Sequence, residues 1–176
     1  MLGLMKIINF ATTNREKFIT AEAICAKSGI SIKQIALEID EIQGEDPDLI
    51  VRDKVERAYI KLGRPVLVSD DSWNIISLNG FPGPYMKSIN HWFNPEDFLR
   101  LMQGIEDRRI TLHQYLAFTD GNVTKIFKND IHGQIINEIR GNIAEVFEQK
   151  TNILKKRNQN RPDAWNNFIK WYKQNH

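Results

Sequence analysis

Pro65-Val66-Leu67-Val68-Ser69-Asp70-Asp71-Ser72 decides how this chain is read. Val66 to Val68 is an apolar, β-branched run bounded by turn-forming residues, the pattern of a buried strand. Its C-terminal end carries two carboxylates, Asp70 and Asp71. In open α/β sheets ligands bind at that edge of the strands. After a short gap comes Leu78-Asn79-Gly80-Phe81-Pro82-Gly83-Pro84-Tyr85-Met86-Lys87, a Pro/Gly loop that ends in a lysine. Carboxylates that hold a hard divalent cation, beside a lysine that holds an anion, suit metal-assisted chemistry on a phosphate.

Working outward, Lys6 to Phe10 reads as a first strand, and Asn14 as the cap of a helix that runs to about Lys27 and stops at Gly29. Ser31 to Ile39 alternates weakly and reads as a second strand. Asp46-Pro47 opens a helix that ends at Gly63. Beyond Val66 the pattern predicts a separate strand over Trp73 to Leu78 and a short helix from Pro95. Three strands, Ile110 to Phe118, Val123 to Phe127 and Ile131 to Ile139, are separated by turns at Asp120-Gly121-Asn122 and Asn129-Asp130. The tail from Ile143 reads as helix broken near Pro162. These elements predict an α/β fold with a long mixed β-sheet and flanking helices, in a single domain over 1–176.

Composition narrows the function classes. The chain has 176 residues, 41% hydrophobic and 26% charged, as in an ordinary soluble globular protein. A net charge of +2 argues for neither a nucleic acid nor a membrane partner. The one cysteine, Cys25, excludes an intramolecular disulfide and a thiolate metal site, and its place in a helix predicts a buried structural thiol. No apolar run reaches membrane-span length, and Met1 to Met5 lacks a cleavage pattern, so the expected location is the cytoplasm.

Four stretches in fixed order resemble the inosine triphosphate pyrophosphatase family. Phe10-Ala11-Thr12-Thr13-Asn14-Arg15-Glu16-Lys17 is similar to its strand-to-helix phosphate loop, T-x-N-x-x-K. Glu41-Ile42-Gln43-Gly44-Glu45 is similar to its E-x-Q-G-E turn, and Lys54 to a helix lysine. The Pro65 strand with its Pro/Gly loop completes the set, and the likeness runs from about Lys6 to Gly141. The resemblance implies two lobes around a central cleft. It also implies Mg²⁺-dependent hydrolysis of deaminated purine nucleoside triphosphates (ITP, dITP, XTP) to monophosphate and pyrophosphate, by a homodimer. Glu41 and Asp70 would be the catalytic acids and metal ligands. Thr12, Asn14, Lys17, Lys54, Lys87, Lys155 and Arg161 would bind substrate. The alternatives are a pyrophosphatase with altered nucleotide specificity and a non-catalytic nucleotide-binding relative.

Each of these residues also has a structural use. Asn14 can be a plain N-cap, Glu41 one acid on a solvated loop with Glu38, Asp40, Glu45, Asp46 and Asp48, and the lysines surface charges. His91 and His113 lack metal-ligand spacing and read as structural. Ser69 stands where the family has the first of two acids. Either Asp71 substitutes from its neighbouring position or a carboxylate is lost. The family's Gly-aromatic segment is missing after Gly141, where Asn142-Ile143-Ala144-Glu145 follows. Its last motif has a poor counterpart in Lys155 to Arg161, with Gln159 for a serine and Asn160 for a histidine; Lys150 is an alternative counterpart lysine. The phosphate half of the site is therefore expected to be retained and the base-reading half rebuilt. Trp165 can stack on a base or belong to the core.

Overall fold

The computed structural model describes residues 7–137, 147–149 and 163–176, the side chains of 147–149 excepted. Strand β1 (Ile7–Ala11) leads into helix α1 (Arg15–Ala26), strand β2 (Ser31–Ile35), helix α2 (Pro47–Leu62) and strand β3 (Val66–Ile75). Then come β4 (Pro82–Gly83), α3 (Met86–Trp92), α4 (Pro95–Leu101), β5 (Arg109–Thr119), β6 (Thr124–Ile135), β7 (Phe147–Gln149) and α5 (Ala164–Asn175). The strands make one sheet in the order β2-β1-β3-β5-β6-β7, with β4 paired to β3. β1 is parallel to β2 and β3, whereas β4 and β7 are antiparallel to their partners. The α/β class with a mixed sheet is borne out.

The helix signals read from sequence act as expected. Asn14 caps α1 by accepting from the Lys17 N–H at 3.0 Å. Asp46 caps α2 with Pro47 in its first turn, and Gly63 closes it at φ 62. Asn94 and Asp97 form a reciprocal capping box on α4. Between β5 and β6 the turn at Asp120 to Asn122 is present, and Gly121 is required there twice over. Its φ of 92 disfavours a side chain, and an added Cβ would run into the Tyr59 ring.

The chain divides into two compact units, Met1–Asp70 with Tyr115–Lys128 and Pro162–His176, and Asp71–Gln114 with Asn129–Arg161. In the first unit the sheet is covered on both faces. Alternation along the strands sends Ile8, Phe10, Leu67, Leu116 and Phe118 toward α1 and α5, where Ala21, Cys25, Phe168 and Ile169 meet them. The opposite face sends Ala11, Val66, Val68 and Ala117 against Val51, Val55 and Ala58 of α2. Trp165 belongs to the first of these cores, edge-on to Phe10 at 5.6 Å. Cys25 is fully buried, and burial pushes its thiol up to about 11. The second unit has its own core of Ile75, Ile89, Phe98, Met102, Ile110 and Ile135.

Four element boundaries differ from the sequence reading. The second strand stops at Ile35, because the Leu37 N–H turns back onto the Ile35 carbonyl at 2.9 Å. β3 is one strand from Val66 to Ile75, followed by a single 3₁₀ turn at Ile76–Leu78. Asn129-Asp130 is no turn but the middle of β6, where both residues find cross-strand partners on β5. The tail is not wholly helical, since Phe147–Gln149 pairs with β6.

Candidate active site

The connectivity creates an edge suited to a ligand. From β1 the chain passes through α1 to β2 on one side, then returns through α2 to β3 on the other side of β1. Such a reversal opens a crevice at the C-terminal ends of the two inner strands. Phe10 pairs in register with Leu67. Thr12 and Ser69 each stand two residues beyond that last pair, at the same end of the two parallel strands.

On the β1 side the site is made of backbone. The Thr12 N–H donates to the Ile35 carbonyl at 3.1 Å, and the Thr12 carbonyl accepts from the Gln34 amide at 3.1 Å. The Thr12 hydroxyl accepts from the Asn14 N–H at 3.1 Å. These bonds fix the turn into α1, whose first N–H groups have no carbonyl one turn back to accept them. Asn14 is therefore an N-cap in fact. It shapes an anion-receptive helix start, and Lys17 adds a charge in the same turn.

On the β3 side the site is made of side chains. Val66 and Val68 face α2, so two-residue alternation sends Asp70 to that face too. Lys54 of α2 meets it there. Its ammonium lies 2.8 Å from Glu41 Oε1 and 3.9 Å from Asp70 Oδ2, and donates to the Ser69 carbonyl at 3.2 Å. Glu41 and Asp70, far apart in the chain, thus share one cation. Asp71 follows the other parity, that of Leu67 and Ser69, and so leaves the strand on the face opposite to Asp70.

Glu41 comes from residues 36–46, which hold neither helix nor strand. Leu37 and Ile39 pack against the α2 core, and Lys61 donates to the Glu38 carbonyl at 2.7 Å. Sequence reading missed Lys61, Gln34 and the Ser69 carbonyl as parts of this arrangement. For Lys61 a signal existed. It stands seven residues after Lys54, two turns along the same helix face.

Other expected site residues belong to the second unit or lie outside the described residues. Lys87 is an exposed residue of α3, in the second unit. Lys155, Arg161, Asn160 and Lys150 lie outside the described residues, as does the stretch after Gly141. His91 is exposed, and His113 bonds Asp130 of the neighbouring strand at 2.7 Å. Among the described residues no group of three or more His, Cys, Asp or Glu clusters as a metal cage.

Known proteins resemble this chain. The chain is similar to the dITP/XTP pyrophosphatase of Saccharolobus solfataricus, 34% identical over 141 residues that cover 80% of this chain and 73% of the relative. It is 30% identical to the dITP/XTP pyrophosphatase of Methanopyrus kandleri over 97% of this chain and 98% of the relative. The solved HAM1 protein from Coxiella burnetii superposes with a TM-score of 0.77 at 19% identity, over 97% of this chain and 100% of that one, a likeness of fold. Residues 8–149, which include both sides of the edge just described, match the model of the Ham1 family, and the chain belongs to that family.

Proposed function

We propose that this protein is a nucleoside triphosphate pyrophosphatase that hydrolyses deaminated purine nucleotides (ITP, dITP and XTP) to the monophosphate and pyrophosphate. The names of the similar proteins support the reaction class. The observation in the fold that carries it is the shared edge. The capped start of α1 follows β1, which pairs with β3, and at the end of β3 Asp70 shares the Lys54 ammonium with Glu41, an arrangement that supports a phosphate seat beside a carboxylate pair.

The residues divide the work. The Thr12 to Lys17 turn and Lys54 take phosphate oxygens and offset the charge that grows as the bond to the α-phosphate breaks. Lys87, Lys155 and Arg161 are proposed further phosphate and substrate contacts. Glu41 and Asp70 would hold Mg²⁺ and position the attacking water. The donor set fits that ion, since Mg²⁺ takes one or two carboxylates and completes its shell with substrate phosphates and waters. When bound, the ion would neutralise phosphate charge and acidify a bound water. Positioning and charge neutralisation suffice for this chemistry, so no nucleophilic side chain is required.

The finer features are part of the same proposal: one catalytic domain over the whole chain, a homodimer, and a cytoplasmic location. Among the described residues no helix is long and apolar enough to cross a membrane. The test is incubation with Mg²⁺ and a panel of ITP, XTP, dITP, ATP and GTP. Pyrophosphate release, fastest with the first three, is expected. Orthophosphate release, or no release, rejects the reading.

A further inference from the structure

We propose that Lys54 is a resident counter-ion of the Glu41–Asp70 pair. It keeps the place of a divalent cation until a triphosphate draws it away, so that metal and nucleotide load together. This rests on the functional reading above and adds how the same site is regulated.

The geometry supplies the argument. The Lys54 ammonium meets three acceptors, Glu41 Oε1 at 2.8 Å, the Ser69 carbonyl at 3.2 Å and Asp70 Oδ2 at 3.9 Å. The first two lie within hydrogen-bond distance, and Asp70 stands at ion-pair distance on the same ammonium. The Lys54 side chain is only 14% exposed, so bulk water does little to screen it. A divalent ion on the same carboxylates would stand a few ångströms from a like charge, and the two cations exclude each other. Lys54 can leave, because its stem is flexible, but leaving gives up its contacts with Glu41 and the Ser69 carbonyl unless another anion receives it. A triphosphate at the neighbouring start of α1 is such an anion.

The scaffold permits the exchange. α2 is fixed by caps at both ends and by Val51, Val55 and Ala58 in the core, so only the lysine side chain has to move. Glu41 stays in reach when Lys54 departs, because its segment is anchored separately through Lys61 and Glu38. In the nucleotide-free protein the acids should therefore bind metal weakly.

Mn²⁺ binding to the nucleotide-free protein, followed by electron paramagnetic resonance, tests this with Lys54→Gln and Lys54→Met. Lys54→Gln keeps a donor for the Ser69 carbonyl and serves if Lys54→Met fails to fold. Both should bind Mn²⁺ at least ten times more tightly than the native chain, while Lys54→Arg, which keeps the charge, should not. In the presence of chelator both neutral variants should bind inorganic tripolyphosphate at least ten times more weakly. Unchanged or weaker Mn²⁺ binding in the folded neutral variants overturns the proposal. Pyrophosphate release from the native chain is measured separately. If the native chain releases pyrophosphate while Mn²⁺ binding of the variants is unchanged, the counter-ion role alone falls. If Mn²⁺ binding tightens without any hydrolysis, the counter-ion role stands and the assigned reaction falls.

Discussion

The turn from Thr12 to Lys17 and the segment from Ala36 to Asp46 both deliver polar groups to the β1–β3 edge, by opposite means. The first is held by regular structure. A strand ends, a helix begins, and an N-cap joins them, with Thr12 tied by its backbone to Ile35 and Gln34. The second has no ladder of its own; Leu37 and Ile39 pack against the α2 core, and its polar groups are held by two lysines of that helix, Lys61 on the Glu38 carbonyl and Lys54 on the Glu41 carboxylate. A site made of backbone N–H groups is preorganised, while one held by ion pairs can be rearranged by a competing ion. The difference matches the proposed division between a fixed phosphate seat and a metal side that exchanges cations.

The largest expected effect comes from the carboxylate at the end of β3 that shares Lys54 with Glu41. Asp70→Asn should lower kcat by at least a hundredfold with Mg²⁺ and ITP, since a neutral amide is a poor ligand for a hard cation. Circular dichroism should show the fold intact. Turnover within tenfold of the native value would remove Asp70 from the metal side. Next, Lys17→Ala should weaken triphosphate binding by about tenfold and leave inosine binding unchanged, corresponding to about 1.4 kcal/mol. Equal losses for both ligands, read by calorimetry, would mean that Lys17 acts through the fold.

Lys61→Met separates the limbs. It removes the Glu38 anchor without touching a carboxylate or α1, so the Mg²⁺ concentration for half-maximal rate should rise severalfold while KM for the triphosphate at saturating Mg²⁺ stays put. A change in the triphosphate KM alone would show that the two limbs are not independent. Some loss of stability, on the order of 1 kcal/mol for a lost hydrogen bond, should accompany it and appear in thermal unfolding.

The same contrast explains what the sequence made legible. Caps, helix ends and the apolar strand centres announce themselves by residue type and period, so Asn14, Asp46-Pro47, Gly63 and Val66 to Val68 were read correctly. Polar residues inside strands misled. Ser69 to Asp71 looked like the end of a strand, and Asn129-Asp130 like a turn. In the fold, Asp70 faces Lys54, and Asp130 and Asn129 are partnered by His113 and Gln114 across the β5–β6 ladder. α3 went unread because its N-cap position, Tyr85, supplies no capping side chain. Motif resemblance pairs Glu41 with Asp70. That one lysine lies between them depends on helix phase and strand parity together, which no single stretch of sequence displays.

The smallest expected effect concerns a turn outside both limbs that reuses the device of Asn14 with a charge added. Asp120 Oδ1 accepts from the N–H groups of Asn122 and Val123, each at 2.9 Å. Those bonds, Val123 first, hold its carboxyl below the usual carboxylate value. A carboxyl whose folded pKa is depressed stabilises the fold above its unfolded pKa of about 3.9, and that stabilisation disappears as pH falls through the folded value. Asp120→Asn keeps an acceptor oxygen but not the charge, so it should cost about 1 kcal/mol near pH 7. In a chain of this size that is about 2–4 °C in Tm. The gap between the two proteins should hold down to about pH 5 and shrink below about pH 4. The corresponding variant of the uncharged cap, Asn14→Ala, should show a gap of similar size that does not change over the same range. If the Asp120→Asn gap is as wide at pH 3 as at pH 7, the carboxylate charge contributes nothing, and the two turns differ only in their residues.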